Sequence, residues 1–229
     1  MNHFQHIKGN VAGVLACVLL LPCLAWSSDI GVFAEAAYSD SEIAVYIYTD
    51  TKSSELVSFG VNLGYDPGDL EVVAATKNES IWHFRGSTQD YPSLEPDITV
   101  PGEAVLIGGY HDTNMPASGV TGSRKLIGIV TFNRLTGNIP VFSLGLARSG
   151  DFDNFVDVTG NVIEQTAGAV VFDVTVKERG DANQDGYITN TDFFVIRSLM
   201  VQGEFSCFGD CNGDDVITNA DFFCVRNKM

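Results

Sequence analysis

The chain is poor in basic residues and in proline, and each shortage excludes a class of protein. Its 13 lysines and arginines stand against 29 aspartates and glutamates, a formal net charge of −16 at pH 7. This balance argues against nucleic acid or an anionic membrane surface as the partner. Only 7 of the 229 residues are proline and 45% are hydrophobic, so the chain is neither collagen-like nor disordered. With 23 glycines and 15 phenylalanines, the composition is typical of a turn-rich β protein.

Long apolar runs are also lacking, except at the N-terminus. The run over residues 11–26 is short for a membrane span, and small residues at 25 and 27 offer a cleavage site. We therefore expect residues 1–27 to be a secretory signal peptide, with a retained membrane anchor as the alternative. The mature chain would then have no membrane span and would be secreted, to the extracellular space or the cell surface.

The last fifty residues contain an internal duplication. Residues 180–200, GDANQDGYITNTDFFVIRSLM, align with 209–229, GDCNGDDVITNADFFCVRNKM, at 12 of 21 identical positions. In each copy, carboxylate and amide side chains occupy positions 1, 3, 5 and 12 of a twelve-residue loop, which is the spacing of an EF-hand calcium loop. The candidate ligands are Asp181, Asn183, Asp185 and Asp192 in the first copy, Asp210, Asn212, Asp214 and Asp221 in the second, and the position-7 carbonyls of Tyr187 and Val216.

This ligand set favours calcium over magnesium. Ca²⁺ accepts six to eight oxygens in irregular geometry, whereas Mg²⁺ requires a strict octahedron, so we expect two calcium ions, one in each loop. The second loop has Asp215 where position 6 favours glycine, and a left-handed backbone costs a non-glycine residue roughly 1 kcal/mol. We therefore expect the second loop to bind calcium more weakly.

Each loop leads directly into an apolar helix, and no comparable helix precedes it, so the two repeats are half EF-hands. The apolar helix residues are Phe193, Phe194, Ile196 and Leu199 in the first copy and Phe222, Phe223 and Val225 in the second. A module this small buries little surface, and its carboxylates repel one another without an ion. Removing calcium should therefore melt residues 180–229 and leave the rest of the chain folded.

Two such loop–helix repeats at the end of a secreted chain resemble a dockerin module, here residues 181–229. The resemblance rests on D-x-N-x-D at each loop start, on Ile188 and Ile217 at position 8, and on Arg197 and Arg226 at position 17. It implies that loop positions 10, 11 and 17 face a cohesin partner. Those partner-facing residues are Asn190, Thr191 and Arg197 in the first copy and Asn219, Ala220 and Arg226 in the second.

Three cysteines remain after the expected signal peptide: Cys207, Cys211 and Cys224. In an oxidising compartment this number predicts one disulfide and one free thiol. Cys211 and Cys224 replace Ala182 and Val195 of the first copy, so two equivalent positions changed together. We therefore favour a Cys211–Cys224 bridge, while a Cys207–Cys211 bridge is nearly as well supported and stays open.

Residues 28–176 show the period-2 alternation of half-buried strands. Over residues 57–65, VSFGVNLGY, apolar residues alternate with serine, asparagine and glycine. Further strands are predicted at 30–36, 43–47, 70–75, 104–109, 125–132, 141–147 and 169–176. Eight or nine short strands predict a mostly β chain that forms a β-sandwich or jelly roll, followed by the small all-α module.

The order of these strands is similar to that of cohesin domains. Residues 57–73 match the cohesin pattern of an alternating strand, a Tyr-Asp-Pro turn and a leucine that opens the next strand. Residues 125–132, KLIGIVTF, resemble a later strand that ends in an aromatic residue. The resemblance implies a cohesin-like domain over 28–176, joined by a short linker at 177–180. Some carbohydrate-binding modules share this jelly roll, so the fold alone does not select a ligand.

Isolated residues in the body offer weaker candidates for chemistry. His83 and His111 lack a nucleophile or second histidine at ligand spacing, and the acidic pair Asp151 and Asp153 is more typical of a turn than of glycosidase carboxylates. Four aromatic residues could form a sugar-binding platform, although burial in the core is favoured for them: Trp82, Phe84, Tyr91 and Tyr110. Nothing in the sequence supports an enzyme.

The sequence therefore predicts an exported, non-catalytic assembly or adhesion protein. It would dock through calcium-dependent contacts to a cohesin-type domain, either on its own copies, which would allow head-to-tail assembly, or on a separate scaffold. The alternative is a polysaccharide-binding body attached through the dockerin-like module to a polysaccharide-degrading complex. An enzyme of polysaccharide breakdown is a third, weaker alternative, kept because dockerins are usually attached to one.

Overall fold

The computed structural model describes residues 30–82, 96–109, 119–147, 155–163 and 170–229. Its strands and helices are β1 (Ile30–Tyr38), β2 (Glu42–Asp50), β3 (Leu56–Tyr65), β4 (Leu70–Lys77), β5 (Glu103–Gly109), β6 (Lys125–Arg134), β7 (Phe142–Leu146), β8 (Val156–Asp157), β9 (Val170–Glu178), α1 (Asn190–Gln202) and α2 (Asn219–Lys228). The expected signal peptide lies outside the described residues. So do several candidates from the body: His83, Phe84, Tyr91, Tyr110, His111, Asp151 and Asp153.

The strands form the two layers of a β-sandwich. One sheet has the order β4-β6-β2-β1-β9, in which only the β1–β9 pair is parallel. The other has the order β5-β3-β7, with the short β8 also paired to β3. The predicted mostly β architecture is therefore confirmed. The strand β8 was not predicted, because two residues are too few to show a period.

The main core lies between the sheets, because alternate side chains of each strand point to the same face. In β3, Phe59, Val61 and Leu63 are fully buried in this core. Trp82 also lies there, 1% exposed, with its ring edge-on against Phe59 and its Nε1–H donating to the carbonyl of Leu126 at 2.9 Å. Trp82 is thus a core residue, as favoured, and not part of an exposed sugar-binding platform.

Strand β2 differs from the simple alternating pattern because both of its faces are covered. Ile43, Val45 and Ile47 belong to the core between the sheets. The intervening residues Tyr46 and Tyr48 are also buried, in a second cluster on the outer face of the five-stranded sheet. The C-terminal module supplies the cover on that outer face, so the module is packed against the sandwich.

The two helices begin in the same way, as their duplicated sequences require. Thr189 and Thr218 are the N-caps, and Asp192 and Asp221 complete a capping box at the third helical position. Helix α1 ends at Gly203, whose left-handed conformation (φ 67°) is typical of a helix C-terminus. Within the described residues, no helix is long and apolar enough to cross a membrane.

Candidate metal loops and docking face

The first acidic loop runs from the end of β9 into α1 and is curled by its own hydrogen bonds. Oδ2 of Asp181 accepts from the backbone N–H of Gly186 at 3.0 Å, and Oδ1 of Asp192 accepts from that of Asn183 at 3.1 Å. The amide of Asn183 also donates to Oδ2 of Asp185 at 2.8 Å. These bonds hold positions 3, 5 and 12 of the loop together, and they fix the orientation of the carboxylate at position 1.

One buried oxygen in this loop has no hydrogen-bond partner. Asp181 is 2% exposed, and its Oδ1 is buried without a donor. Burial raises the pKa of this carboxyl, as expected where a negative charge is removed from water. Among the described residues, no lysine or arginine forms an ion pair with a carboxylate of this loop. A buried carboxylate is costly unless it is paired or binds a metal, so Asp181 Oδ1 fits a hard cation such as Ca²⁺.

The expected ligands of each loop include more than carboxylates. The described residues contain no group of three or more His, Cys, Asp or Glu side chains that is placed so that it could hold a metal ion by itself. The expected set in the first loop adds the amide of Asn183 and the backbone carbonyl of Tyr187, whose side chain is 72% exposed. In the second loop the corresponding residues are Asn212 and Val216.

The second loop begins at Asp210 and has different surroundings. Oδ1 of this fully buried carboxylate accepts from two backbone N–H groups within the loop, at 2.9 and 3.1 Å, and Oδ2 accepts from a third at 3.0 Å. Nη1 of Arg179 lies 3.5 Å from the same Oδ2. Both carboxylate oxygens at position 1 of this loop therefore have protein partners. In the first loop only one of the two does. Asp215 takes the left-handed conformation (φ 62°) at position 6, so the loop turns there without glycine.

The sandwich contacts this second loop through two side chains. Arg179 directly follows β9, and its buried guanidinium lies between Asp210 and Glu42, with Nη2 3.4 Å from Oε1 of Glu42. The hydroxyl of Tyr46 donates to Oδ1 of Asp215. The expected linker at 177–180 is mostly ordered. Its first two residues belong to β9, which extends to residue 178, and its third is the ion-paired Arg179. The second loop is thus tied to the body by charge and hydrogen bonds.

A short apolar segment, residues 205–208, anchors the module on the five-stranded sheet. Phe208 is fully buried and Cys207 is 1% exposed. They share one cluster with four residues of β1 and β2: Ala37, Ala44, Tyr46 and Tyr48. Phe205 adds an aromatic contact, its ring centroid 5.4 Å from that of Tyr46. This segment explains why the outer face of β2 is buried.

The structure joins Cys211 and Cys224, with their Cα atoms 5.8 Å apart, and so links the second loop to α2. The alternative Cys207–Cys211 bridge is not formed, since Cys207 is a buried free thiol. Burial, together with the nearby negative charge of Glu35, raises the pKa of this thiol far above its usual range. Cys207 is therefore protonated at neutral pH, and its role in the structure is packing.

The residues expected to face a partner are all exposed. They lie on α1 and α2 at equivalent positions: Asn190, Thr191 and Arg197, and Asn219, Ala220 and Arg226. Each helix also exposes a phenylalanine that the sequence grouped with the apolar helix residues, Phe194 at 72% and Phe223 at 63%. Neighbouring helical positions are 100° apart, so only the preceding phenylalanines, Phe193 and Phe222, turn inward, where their ring centroids are 5.7 Å apart.

No family model matches the chain, and no curated protein does. Several solved structures that resemble it are cohesin domains. CaCohA2 from Clostridium acetobutylicum is 11% identical, with 66% of this chain and 92% of that chain covered and a TM-score of 0.45. The sixth cohesin of scaffoldin B from Acetivibrio cellulolyticus, solved in complex with a Cel5 dockerin, is 17% identical, with coverages of 65% and 97% and a TM-score of 0.43. A non-cellulosomal cohesin from Archaeoglobus fulgidus is 15% identical, with coverages of 68% and 94% and a TM-score of 0.39. Likeness at this level defines neither a partner nor a ligand.

Proposed function

We propose that residues 181–229 form a calcium-dependent docking module, carried by a non-catalytic β-sandwich in a secreted assembly protein. The observation that supports this most directly is Oδ1 of Asp181, a buried carboxylate oxygen without a partner at position 1 of a duplicated calcium-type loop. Asp181, Asn183, Asp185 and Asp192 would hold the ion, with the carbonyl of Tyr187. The ion would supply the positive charge that offsets the burial of these carboxylates.

The first loop is physically connected to the proposed docking face. This face comprises the exposed residues Asn190, Thr191, Phe194 and Arg197 of α1 and the equivalent residues of α2. The amide of Asn183, the candidate ligand at position 3, donates to Oγ1 of Thr191 at 3.0 Å. Thr191 in turn lies at the start of α1, where its hydroxyl is 2.7 Å from that of Thr189, the helix N-cap. Ordering of the loop therefore also orders the first turn of α1. This connection explains how an ion could control binding at residues that do not touch it.

The docking face has the composition of a protein interface. Asn190, Phe194 and Arg197 follow one another along one side of α1, because residues spaced by three or four share a helix face. Asn219, Phe223 and Arg226 repeat the arrangement on α2. Aromatic residues and arginine are enriched at the energetic centres of protein interfaces, and these rings are exposed. The proposed partner is therefore a protein.

The partner that we propose is a cohesin-type domain, and in particular the sandwich of another copy of this chain. Because the face and the sandwich lie on one chain, a contact between copies would be head-to-tail and would grow into filaments unless it closed into a ring. A separate scaffold carrying such a domain is the other source of the same contact. The polysaccharide-binding alternative gains no support from Trp82, because that ring is buried.

Light scattering of the full chain tests this proposal. Self-assembly predicts a mass that grows with protein concentration in the presence of calcium and returns to that of a monomer with chelator. The double variant Phe194→Ala, Phe223→Ala should remain monomeric in calcium. Val141→Ala is the matched control, since it truncates a 78%-exposed apolar residue of the sandwich and should assemble as the wild type does. A calcium-loaded wild type that stays monomeric at high concentration would exclude self-assembly.

A further inference from the structure

We propose that the sandwich holds the second loop closed without an ion, and that Arg179 supplies at Asp210 the positive charge that calcium supplies in the first loop. The two halves of the duplication would then have different roles, with the first loop as the calcium-controlled half and the second as the permanent attachment to the body. This inference rests on the proposed function for the calcium dependence of the first loop. The difference between the loops rests on contacts of the second loop that the first loop does not make.

The first of these contacts is the guanidinium of Arg179. Its side chain is 6% exposed and reaches both Asp210, at 3.5 Å, and Glu42, at 3.4 Å. Charged groups are rarely buried to this extent unless they are paired. The arginine therefore acts as a cation fixed between the first carboxylate of the loop and a carboxylate of the sheet.

The second observation is the space that the loop leaves for this guanidinium. Gly213 occupies position 4, and a Cβ atom added there would collide with Nη1 of Arg179. The backbone at Gly213 is left-handed (φ 76°), but the equivalent Gln184 of the first loop takes the same conformation (φ 62°). Backbone conformation therefore does not by itself require glycine at position 4. The glycine instead leaves room for the guanidinium of Arg179, which a Cβ atom would displace.

Two further links close the second loop from either side. The hydroxyl of Tyr46 in β2 donates to Asp215 at position 6, and the disulfide ties Cys211, at position 2, to α2. The first loop has a different contact with the sandwich. There, Lys177 donates to the backbone carbonyl of Gln184 at 2.7 Å, and this ammonium does not neutralise a ligand carboxylate through that bond.

These contacts predict unequal calcium binding. A fixed guanidinium beside Asp210 repels a second cation, and like charges at contact distances weaken binding by a factor of ten or more at the effective dielectric of a protein surface. In the first loop, Lys177 acts on Asp181 electrostatically but forms no ion pair with it, and Oδ1 of Asp181 stays without a partner. We expect one tight calcium site in the full chain and a second site at least tenfold weaker.

Calorimetric titration of the chelator-stripped full chain with CaCl₂ measures this difference. Asp181→Ala should abolish the tight site, whereas Asp210→Ala should leave it in place. Arg179→Met removes the positive charge and should tighten the weak site at least tenfold. Arg179→Lys is the matched control, because it keeps the charge and should keep the second site weak. Two equally tight sites in the wild type, or a second site that Arg179→Met leaves unchanged or weakens, would overturn the inference.

Hydrogen exchange of the unmodified chain provides a test that needs no variant. Removing calcium should expose the backbone amides of residues 183–192 to exchange and leave those of 211–221 protected by the contacts with the sandwich. Equal loss of protection in both loops would also overturn the inference. Failure of the proposed function gives a different result, in which calcium neither binds in an Asp181-dependent way nor changes exchange in the first loop.

Discussion

Replacing Phe208 by alanine should release the C-terminal module from the sandwich. The ring is fully buried, and a buried aromatic side chain removes roughly 150–250 Å² from water, about 4–6 kcal/mol at 25 cal/mol per Å². Measured substitutions of buried phenylalanine by alanine cost about 3–5 kcal/mol. The small side chains of Ala37 and Ala44 lie in the same cluster and cannot expand into the cavity. We therefore expect about 4 kcal/mol, which corresponds to roughly 10³-fold more frequent opening of the contact.

Hydrogen exchange followed by mass spectrometry measures this opening segment by segment. Phe208→Ala should increase amide exchange in residues 205–228 and in β2, whose outer side chains the module covers. Peptides from β3, in the core between the sheets, should remain unchanged. Phe194→Ala is the matched control, because it makes the same substitution in the same module at a 72%-exposed position and should change stability by less than about 0.5 kcal/mol. If both variants exchanged alike, the anchoring role of residues 205–208 would be refuted.

Two further predictions concern the second loop and the sandwich. The double variant Cys211→Ser, Cys224→Ser removes a bridge with a sequence separation of 13 and should destabilise the module by about 3 kcal/mol; an unchanged helical melting transition in circular dichroism would contradict this. Gly128→Ala should destabilise the sandwich by roughly 1–3 kcal/mol, because the added Cβ would collide with the carbonyl oxygen of Thr76 in β4. Gly145→Ala, where the Cβ meets nothing within 4 Å, is its control, and equal melting temperatures for the two variants would show that the sheet adapts.

The strands and the acidic loops were predictable because both are local patterns. A strand buried on one face repeats with period 2, as over β3, and a calcium-type loop places its ligands within twelve residues. The equivalence of the two loop–helix units could be predicted from the identical residues at their aligned positions. Their matching N-caps at Thr189 and Thr218 show that equal local sequence produced equal local structure.

The difference between the two loops was only partly predictable. Asp215 at position 6 marks the second loop as unusual in the sequence, but its backbone takes the required left-handed conformation. The larger difference comes from Arg179, which pairs with Glu42 across a sequence separation of 137 residues. The only sequence signal was a basic residue at the strand end before the first loop, and it does not indicate which of the two loops the side chain reaches.

The exposed pair Phe194 and Phe223 was missed for a related reason. Each helix has two consecutive phenylalanines that are equally apolar in the sequence. Helix geometry shows only that the two side chains point in different directions. Which of them is buried depends on how α1 and α2 pack, and the structure turns Phe193 and Phe222 toward each other. The exposed aromatic residue at the centre of the proposed docking face therefore emerged only from the packing.

By itself, the sequence determined the duplicated acidic loops, the helices that follow them and the strands of the sandwich, since each depends on residues close together in the chain. The tertiary structure alone decided that the module lies on the outer face of the five-stranded sheet, that a strand-end arginine faces the second loop, and that one phenylalanine of each pair is exposed. Those features depend on groups that are brought together by the path of the backbone, and charge or apolarity at one position does not specify its partner at a distance.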